Sequence, residues 1–183
     1  MTQNQLCLII ALAVSKQHSL WQGDVKNAFC NGILPLEETV ICMPPRDCPF
    51  SAPNTYWKLK KTLYGLAKSP VHWFRTIEKV FHSMGLCNHS NRPSLFCRTF
   101  IPDHPPIYIG LYVNDFCHFS TPDLVENKFR VLLNQHFTVT WDSELEWFLS
   151  IQFNWCHDEN GATTACHLSQ EALSKISSLA TVY

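Results

Sequence analysis

The sequence has no excess of basic charge: 14 Lys and Arg stand against 15 Asp and Glu, so its 183 residues carry a formal charge of −1. A chain that bound a phosphate backbone through overall charge would be strongly positive, so such a partner would have to be held by local cations. It also lacks an apolar run of the ~20 residues a membrane span needs, and no membrane partner is expected. The nearest approach, Leu6 to Val14, has nine residues. Within it Ala11-Leu12-Ala13 imitates a signal-peptide cleavage site, but no Lys or Arg precedes it, and a buried helix leading into a strand is the better reading. Cys-x-x-Cys is missing despite nine cysteines. Nine thiols cannot all pair and nothing marks a secretory context, so the expected setting is a reducing intracellular compartment, cytoplasmic or nuclear. Three Cys-His dipeptides, at Cys117-His118, Cys156-His157 and Cys166-His167, raise the question of zinc. Structural zinc sites take ligands from short knuckles that close around the ion, and adjacent residues serve that geometry poorly, so no zinc is expected. Repeats and low-complexity tracts are absent as well.

With 46% hydrophobic residues, the chain is long enough for one sizeable core, and residues 1–183 are expected to form a single domain. Ser69 to Met84 is the clearest helix. Trp73, Phe74, Ile77, Val80, Phe81 and Met84 make a stripe of helical period, with Ser69 as a candidate cap, Pro70 at the first position and Gly85 at the end. A second helix is expected to begin after Thr121 with Pro122 at its first position, turning Leu124, Val125, Phe129, Leu132 and Leu133 inward. Strands are expected over Leu20 to Val25, Leu95 to Ile101 and Trp147 to Trp155, with Asn160-Gly161 turning the last into Thr163 to Leu168. Cys42 to Asn54 and Pro102 to Pro106 are Pro-rich loops. Ile107 to Phe119 reads as two strands joined by a tight Asn114-Asp115 turn. The order strand, helix, hairpin, helix, strand is a split β-α-β-β-α-β arrangement, an α+β, ferredoxin-like antiparallel sheet with helices on one face.

Tyr112-Val113-Asn114-Asp115 has the layout of a polymerase active-site turn with one acidic position changed. Ninety residues before Asn114, Asp24 ends a strand-like run in Asp24-Val25-Lys26-Asn27-Ala28-Phe29. Carboxylates on two such segments are what two-metal phosphoryl transfer requires, since hard divalent ions about 3.5–4 Å apart need several anionic oxygens on rigid strands. With Leu59-Lys60-Lys61-Thr62-Leu63-Tyr64-Gly65-Leu66-Ala67-Lys68-Ser69-Pro70 and Trp73 between them, the chain resembles the reverse transcriptase domain of Ty1/copia-type retrotransposons. Val40 to Pro45, Arg92 to Phe96, Trp147 to Ser150 and His167 to Gln170 extend the resemblance in order over nearly the whole chain.

The resemblance implies a polymerase palm with part of the fingers, and RNA-directed DNA polymerisation by two-metal nucleotidyl transfer. It makes Asp24, Asn114 and Asp115 the catalytic positions, with Asp24, Asp115 and the Val25 carbonyl holding Mg2+ or Mn2+. Phe29, Tyr64 and Gly65 would meet the incoming deoxynucleoside triphosphate, Phe29 excluding a 2′-hydroxyl, while Trp147, Phe148, Leu149 and Ser150 would grip the primer of an RNA or DNA primer-template. The cluster Lys58, Lys60, Lys61, Lys68 and Arg75 would lie beside template and nucleotide. The chain is also expected to be a fragment, with the family's basic upstream fingers segment, RNase H and integrase outside it.

The departures point to a degenerate copy. Arg92 stands where the family usually has Asp, Ala67 where it has Lys, and Ser150 where it has Gly. Asn114 replaces the Asp that binds both ions. An Asn offers one neutral oxygen where an ionised Asp offers two anionic ones that can bridge. Its loss is expected to weaken metal binding and to cost roughly three orders of magnitude in rate. A non-catalytic, nucleic-acid-binding or repurposed remnant is the alternative to an enzyme.

Overall fold

Thr2 starts the first helix because its hydroxyl accepts the Gln5 N–H at 3.3 Å while the Gln5 side chain accepts the Thr2 N–H at 2.7 Å, a reciprocal cap over α1 (Gln3–Ser15). The computed structural model describes residues 1–49, 52, 54–120 and 123–170. After α1 come β1 (Trp21–Val25), α2 (Ala28–Asn31), β2 (Ile41–Cys42), β3 (Trp57–Lys58) and α3 (Ser69–Ser83). They are followed by β4 (Cys87–His89), β5 (Arg92–Arg98), β6 (Ile107–Tyr112), β7 (Asp115–Phe119), α4 (Asp123–Asn134), β8 (Val139–Glu144), β9 (Trp147–Phe148), β10 (Ile151–His157) and β11 (Thr163–Ser169). The chain divides into two compact units, one of Met1–Lys26 with the chain from Gly85 on, the other Asn27–Met84.

The first unit carries a six-stranded sheet in the order β4-β5-β6-β7-β1-β8, antiparallel at every pairing. Its last four strands, β6-β7-β1-β8, place the first strand of the chain between a later hairpin and β8, the last strand to join this sheet, which is the order a split β-α-β-β-α-β chain adopts. The architecture is therefore mixed α+β around a mainly antiparallel sheet.

Alternation along β7 sorts the core into two faces. Phe116 and His118 meet Phe129 of α4 and Trp141 of β8, with ring centroids between 5.5 and 6.1 Å apart. Cys117 and Phe119 belong instead to the cluster built on Leu6, Ile9, Ile10 and Ala13 of α1, which also takes in Phe148, Ile151 and Phe153. Helices thus cover both faces, and the expectation of helices on one face fails for α1. An apolar helix that buries four side chains needs a sheet face of its own.

Four local expectations are corrected. Ser69 lies inside α3, where its hydroxyl donates to Leu63 O at 2.6 Å; Lys68 holds the cap position, and Gly85, at φ +77°, follows the helix end. The buried face of α3 is also turned toward His72 and Thr76, leaving Phe74 and Val80 only partly covered. In α4 the buried residues are Val125, Phe129 and Leu133, four apart, while Leu124 faces outward; Thr121 and Pro122 lie outside the described residues. The strand expected over Trp147 to Trp155 is broken into β9 and β10, which pair with each other across Leu149 and Ser150.

Gly23 sits in β1 directly opposite Phe116. A Cβ at Gly23 would lie 2.3 Å from Phe116 Cζ, and that ring is wedged between Phe129 and Trp141. Gly23→Ala is expected to destabilise the fold by about 2–3 kcal/mol, because the ring has no free volume to enter. Thermal denaturation should show the midpoint falling by roughly 5–10 °C; an unchanged midpoint would mean the ring can move aside.

Candidate active site

The site begins with register. Asp115 is the first residue of β7 and pairs with Tyr112 on one side and Asp24 on the other, while Asp24 pairs in turn with Thr140 of β8. Tyr112, Asp115, Asp24 and Thr140 therefore form one row across four strands, and directly opposed side chains share a face. The two carboxylates expected to meet do so. They lie at strand ends in the middle of the sheet.

The connecting turn is Val113-Asn114, one residue earlier than the Asn-Asp turn read from sequence, because Tyr112 and Asp115 are still paired. Val113 takes the left-handed conformation, φ +56°, a strained place for a β-branched residue. The turn is clamped to β1: Asn114 O accepts the Val25 N–H at 3.0 Å, and Asn114 Nδ2 donates to Asp24 Oδ1 at 2.5 Å. Since an ionised carboxylate only accepts, the amide must present its N–H to Asp24. Position 114 thus offers a donor at the point where a cation would need an acceptor.

Asp115 is half-buried, and its carboxyl is held above the ordinary range first by that burial, then by the charge of Asp24 and the hydrogen bond between the two carboxyls, and last by Asp142. Two ionised carboxylates so placed would repel, and both effects favour the protonated form of Asp115. Among the described residues, no three His, Cys, Asp or Glu side chains converge in a geometry that could hold a metal ion.

The residues expected at the primer sit on the β9–β10 hairpin of the same unit. Phe148 is buried and meets Tyr112 edge to face at 6.5 Å, which ties this hairpin to the carboxylate row, while Trp147 is exposed. Leu149 and Ser150 make the two-residue turn with φ of +53° and +62°. Two successive left-handed residues favour glycine. Ser150→Gly is expected to stabilise the fold by about 1 kcal/mol by relieving that conformation. A urea midpoint lower than that of the parent would refute it.

Phe29, Tyr64 and Gly65 belong to the second unit, where the Phe29 and Tyr64 rings meet edge to face at 5.1 Å. Thr62, which sequence reasoning passed over, fixes this pair: its hydroxyl donates to Phe29 O and its N–H to Gly32 O at 2.8 Å. Gly65, at φ +90°, leaves open space where a side chain would stand. Of the basic cluster, Lys58, Lys60, Lys61, Lys68 and Arg75 are all exposed, and Lys68 pairs with Glu38 at 3.3 Å. Glu38 Oε2 also lies 3.0 Å from Nε2 of the buried His72, poorly aligned for a hydrogen bond. Thr140, an outer member of the carboxylate row, was missed because only strand register reveals it, and register likewise shows that Tyr112 is the other outer member.

The profile of the family described as "Reverse transcriptase (RNA-dependent DNA polymerase)" matches residues 2–176. The chain belongs to that family. It is 30% identical over 164 residues to the retrovirus-related Pol polyprotein from transposon RE1 of Arabidopsis thaliana, covering 89% of this chain and 10% of that protein. To the corresponding polyprotein from transposon RE2 of the same plant it is 27% identical over 145 residues, 79% of this chain and 10% of the relative. A third relative is the Pol polyprotein from transposon TNT 1-94 of Nicotiana tabacum, 30% identical over 108 residues, 58% of this chain and 8% of that one. The chain is a reverse-transcriptase-like domain of the kind found in retrotransposon Pol polyproteins, and it spans about a tenth of the length of these relatives.

Proposed function

We propose that this chain is the palm, with part of the fingers, of a Ty1/copia-type reverse transcriptase whose nucleotidyl transfer is disabled at position 114, leaving a domain that binds a primer-template without extending it. The observation that carries this reading is the Asn114 Nδ2 to Asp24 Oδ1 hydrogen bond at 2.5 Å.

The donor set supports one divalent ion better than two. Asp24 and Asp115 supply hard anionic oxygens whose mutual repulsion a cation would relieve, and Val25 would add a neutral carbonyl. Mg2+ or Mn2+ held there would polarise phosphate oxygens. A second ion requires another bridging carboxylate, and the amide of Asn114 instead occupies one oxygen of Asp24. Phe29 and Tyr64 would present aromatic faces to the sugar and base of a deoxynucleoside triphosphate, and the exposed lysines would meet the phosphate backbone.

The test is primer extension on a homopolymer template by the 183-residue chain with Mg2+ or Mn2+, alongside fluorescence anisotropy of a labelled primer-template. Binding without extension is expected. Robust extension would overturn the disabled reading, and failure to bind would remove the nucleic-acid partner.

A further inference from the structure

Outside the carboxylate row, one pair of reactive groups is brought together by register alone. Cys87 of β4 and Cys97 of β5 are direct cross-strand partners, although ten positions separate them in sequence, and both are exposed. Directly opposed residues of an antiparallel pair have Cα atoms about 4.5–5.5 Å apart, which lies within the ~4.4–6.8 Å that a disulfide spans. β4 is a three-residue strand at the edge of the sheet with a bulge next to Asn88, so a small adjustment there disturbs no further strand. Both cysteines also line an apolar cavity of about 320 Å³, together with Leu8, Leu12, Leu95 and Tyr108. A small reagent can reach them.

The other close cysteines provide a contrast. Cys156 pairs with Ala165, and Cys166 pairs with Trp155, so alternation sends the Cys156 and Cys166 side chains to opposite faces of the β10–β11 hairpin. Proximity there does not amount to bonding geometry.

We propose that Cys87 and Cys97 are a redox-responsive dithiol, a modification site at which a low-molecular-weight disulfide is reduced and a protein disulfide forms between β4 and β5. In the first step one cysteine thiolate, its proton lost to water, attacks a sulfur of the small disulfide. That S–S bond breaks and one small thiolate leaves. The second cysteine, its proton also lost to water, then attacks the protein sulfur of the mixed disulfide and expels the other small thiolate, and the two small thiolates take up the two protons. Two protein thiols lose two electrons in all, and one small disulfide gains them to become two thiols. The Cys97 thiol is raised by partial burial and by the neighbouring Cys87, so it holds its proton more tightly, and the second of these causes disappears once Cys87 is held in the mixed disulfide. In a reducing compartment the pair would stand open and would close under oxidation.

The experiment equilibrates the full chain in glutathione redox buffers, quenches by alkylation and maps cysteines by mass spectrometry. The expected product has lost the mass of two hydrogens, with Cys87 and Cys97 joined while the other seven of the nine cysteines are alkylated. Its thermal midpoint should rise by roughly 5 °C, reversed by dithiothreitol. Cys87→Ser and Cys97→Ser should each abolish closure and leave one glutathione adduct, whereas Cys156→Ser should close normally. Adducts on both cysteines without a bond between them, or a bond involving Cys156 or Cys166 instead, would overturn the proposal.

Discussion

Asn114→Asp should bind Mg2+ tighter than the parent chain by about one to two orders of magnitude, and its folding stability should become dependent on the metal. The gain follows from charge. A third carboxylate would join two that already oppose each other across β1 and β7, and it would replace a donor that now occupies Asp24. Unit charges about 4 Å apart interact by a few kcal/mol at the effective dielectric of a protein surface, and desolvation cancels part of that. The same substitution should cost about 1–2 kcal/mol of stability in a chelator. Asp115 is already raised by burial and by Asp24, and a further anion would meet both without a hydrogen bond to repay it. Added Mg2+ should recover the loss, since a ligand of the folded state alone stabilises it by mass action. Calorimetry gives the affinity, and thermal melts with and without metal give the linkage. Asn114→Ala separates the two causes. It frees the Asp24 oxygen without adding charge, so it should gain little affinity; a gain equal to that of Asn114→Asp would mean that the amide only blocks the site, and no gain in either variant would refute the metal reading of the row.

What the sequence shows of this site is the set of residues; what it hides is their register. Asp24 and Asp115 were legible because each closes or opens an apolar strand and each falls in a motif. That Tyr112 and Thr140 complete the row, and that the left-handed residue of the turn is Val113 and not Asn114, depends on which residues still pair at the end of the hairpin. Composition does not fix that, and Asn would have been the cheaper left-handed residue. The helix stripes behaved similarly. Periodicity found α3 and α4, but an apolar count cannot see that His72 and Thr76 are buried, that Leu124 is not, or that α1 takes the sheet face opposite α4. The break at Leu149-Ser150 was hidden because neither residue announces a left-handed turn. Cys117-His118 illustrates the reverse case. Strand alternation sends Cys117 toward α1 and His118 toward Phe116, Phe129 and Trp141, so the dipeptide divides between two cores, a consequence that only the strand assignment makes visible.

His118 is the source of the largest expected pH effect. It is fully buried and boxed by Phe116, Phe129 and Trp141, and among the described residues neither ring nitrogen has a hydrogen-bond partner. A neutral imidazole carries one N–H and one lone pair, so both are desolvated without compensation, at a cost of about 1–3 kcal/mol each in comparable groups. Burial pushes its pKa down to about 3, with the Arg130 guanidinium contributing. The sign follows directly. The folded chain keeps this ring neutral, whereas the unfolded chain protonates it below the ordinary value of about 6.5. The unfolded state therefore binds the extra proton, and the stability present above pH ~6.5 is lost as pH falls toward the folded pKa, at up to about 1.4 kcal/mol per unit. Between pH 7.5 and 4.5 His118 alone should remove roughly 2–3 kcal/mol. His118→Leu, which nearly conserves volume and has no polar atom to desolvate, should be about 1–2 kcal/mol more stable at neutral pH and should flatten the acid limb by the His118 share. Urea unfolding of parent and variant across that pH range measures both, and the other histidines cancel in the difference. Parallel acid limbs, or a variant less stable at neutral pH, would mean that the ring has polar partners in solution and that its burial is repaid.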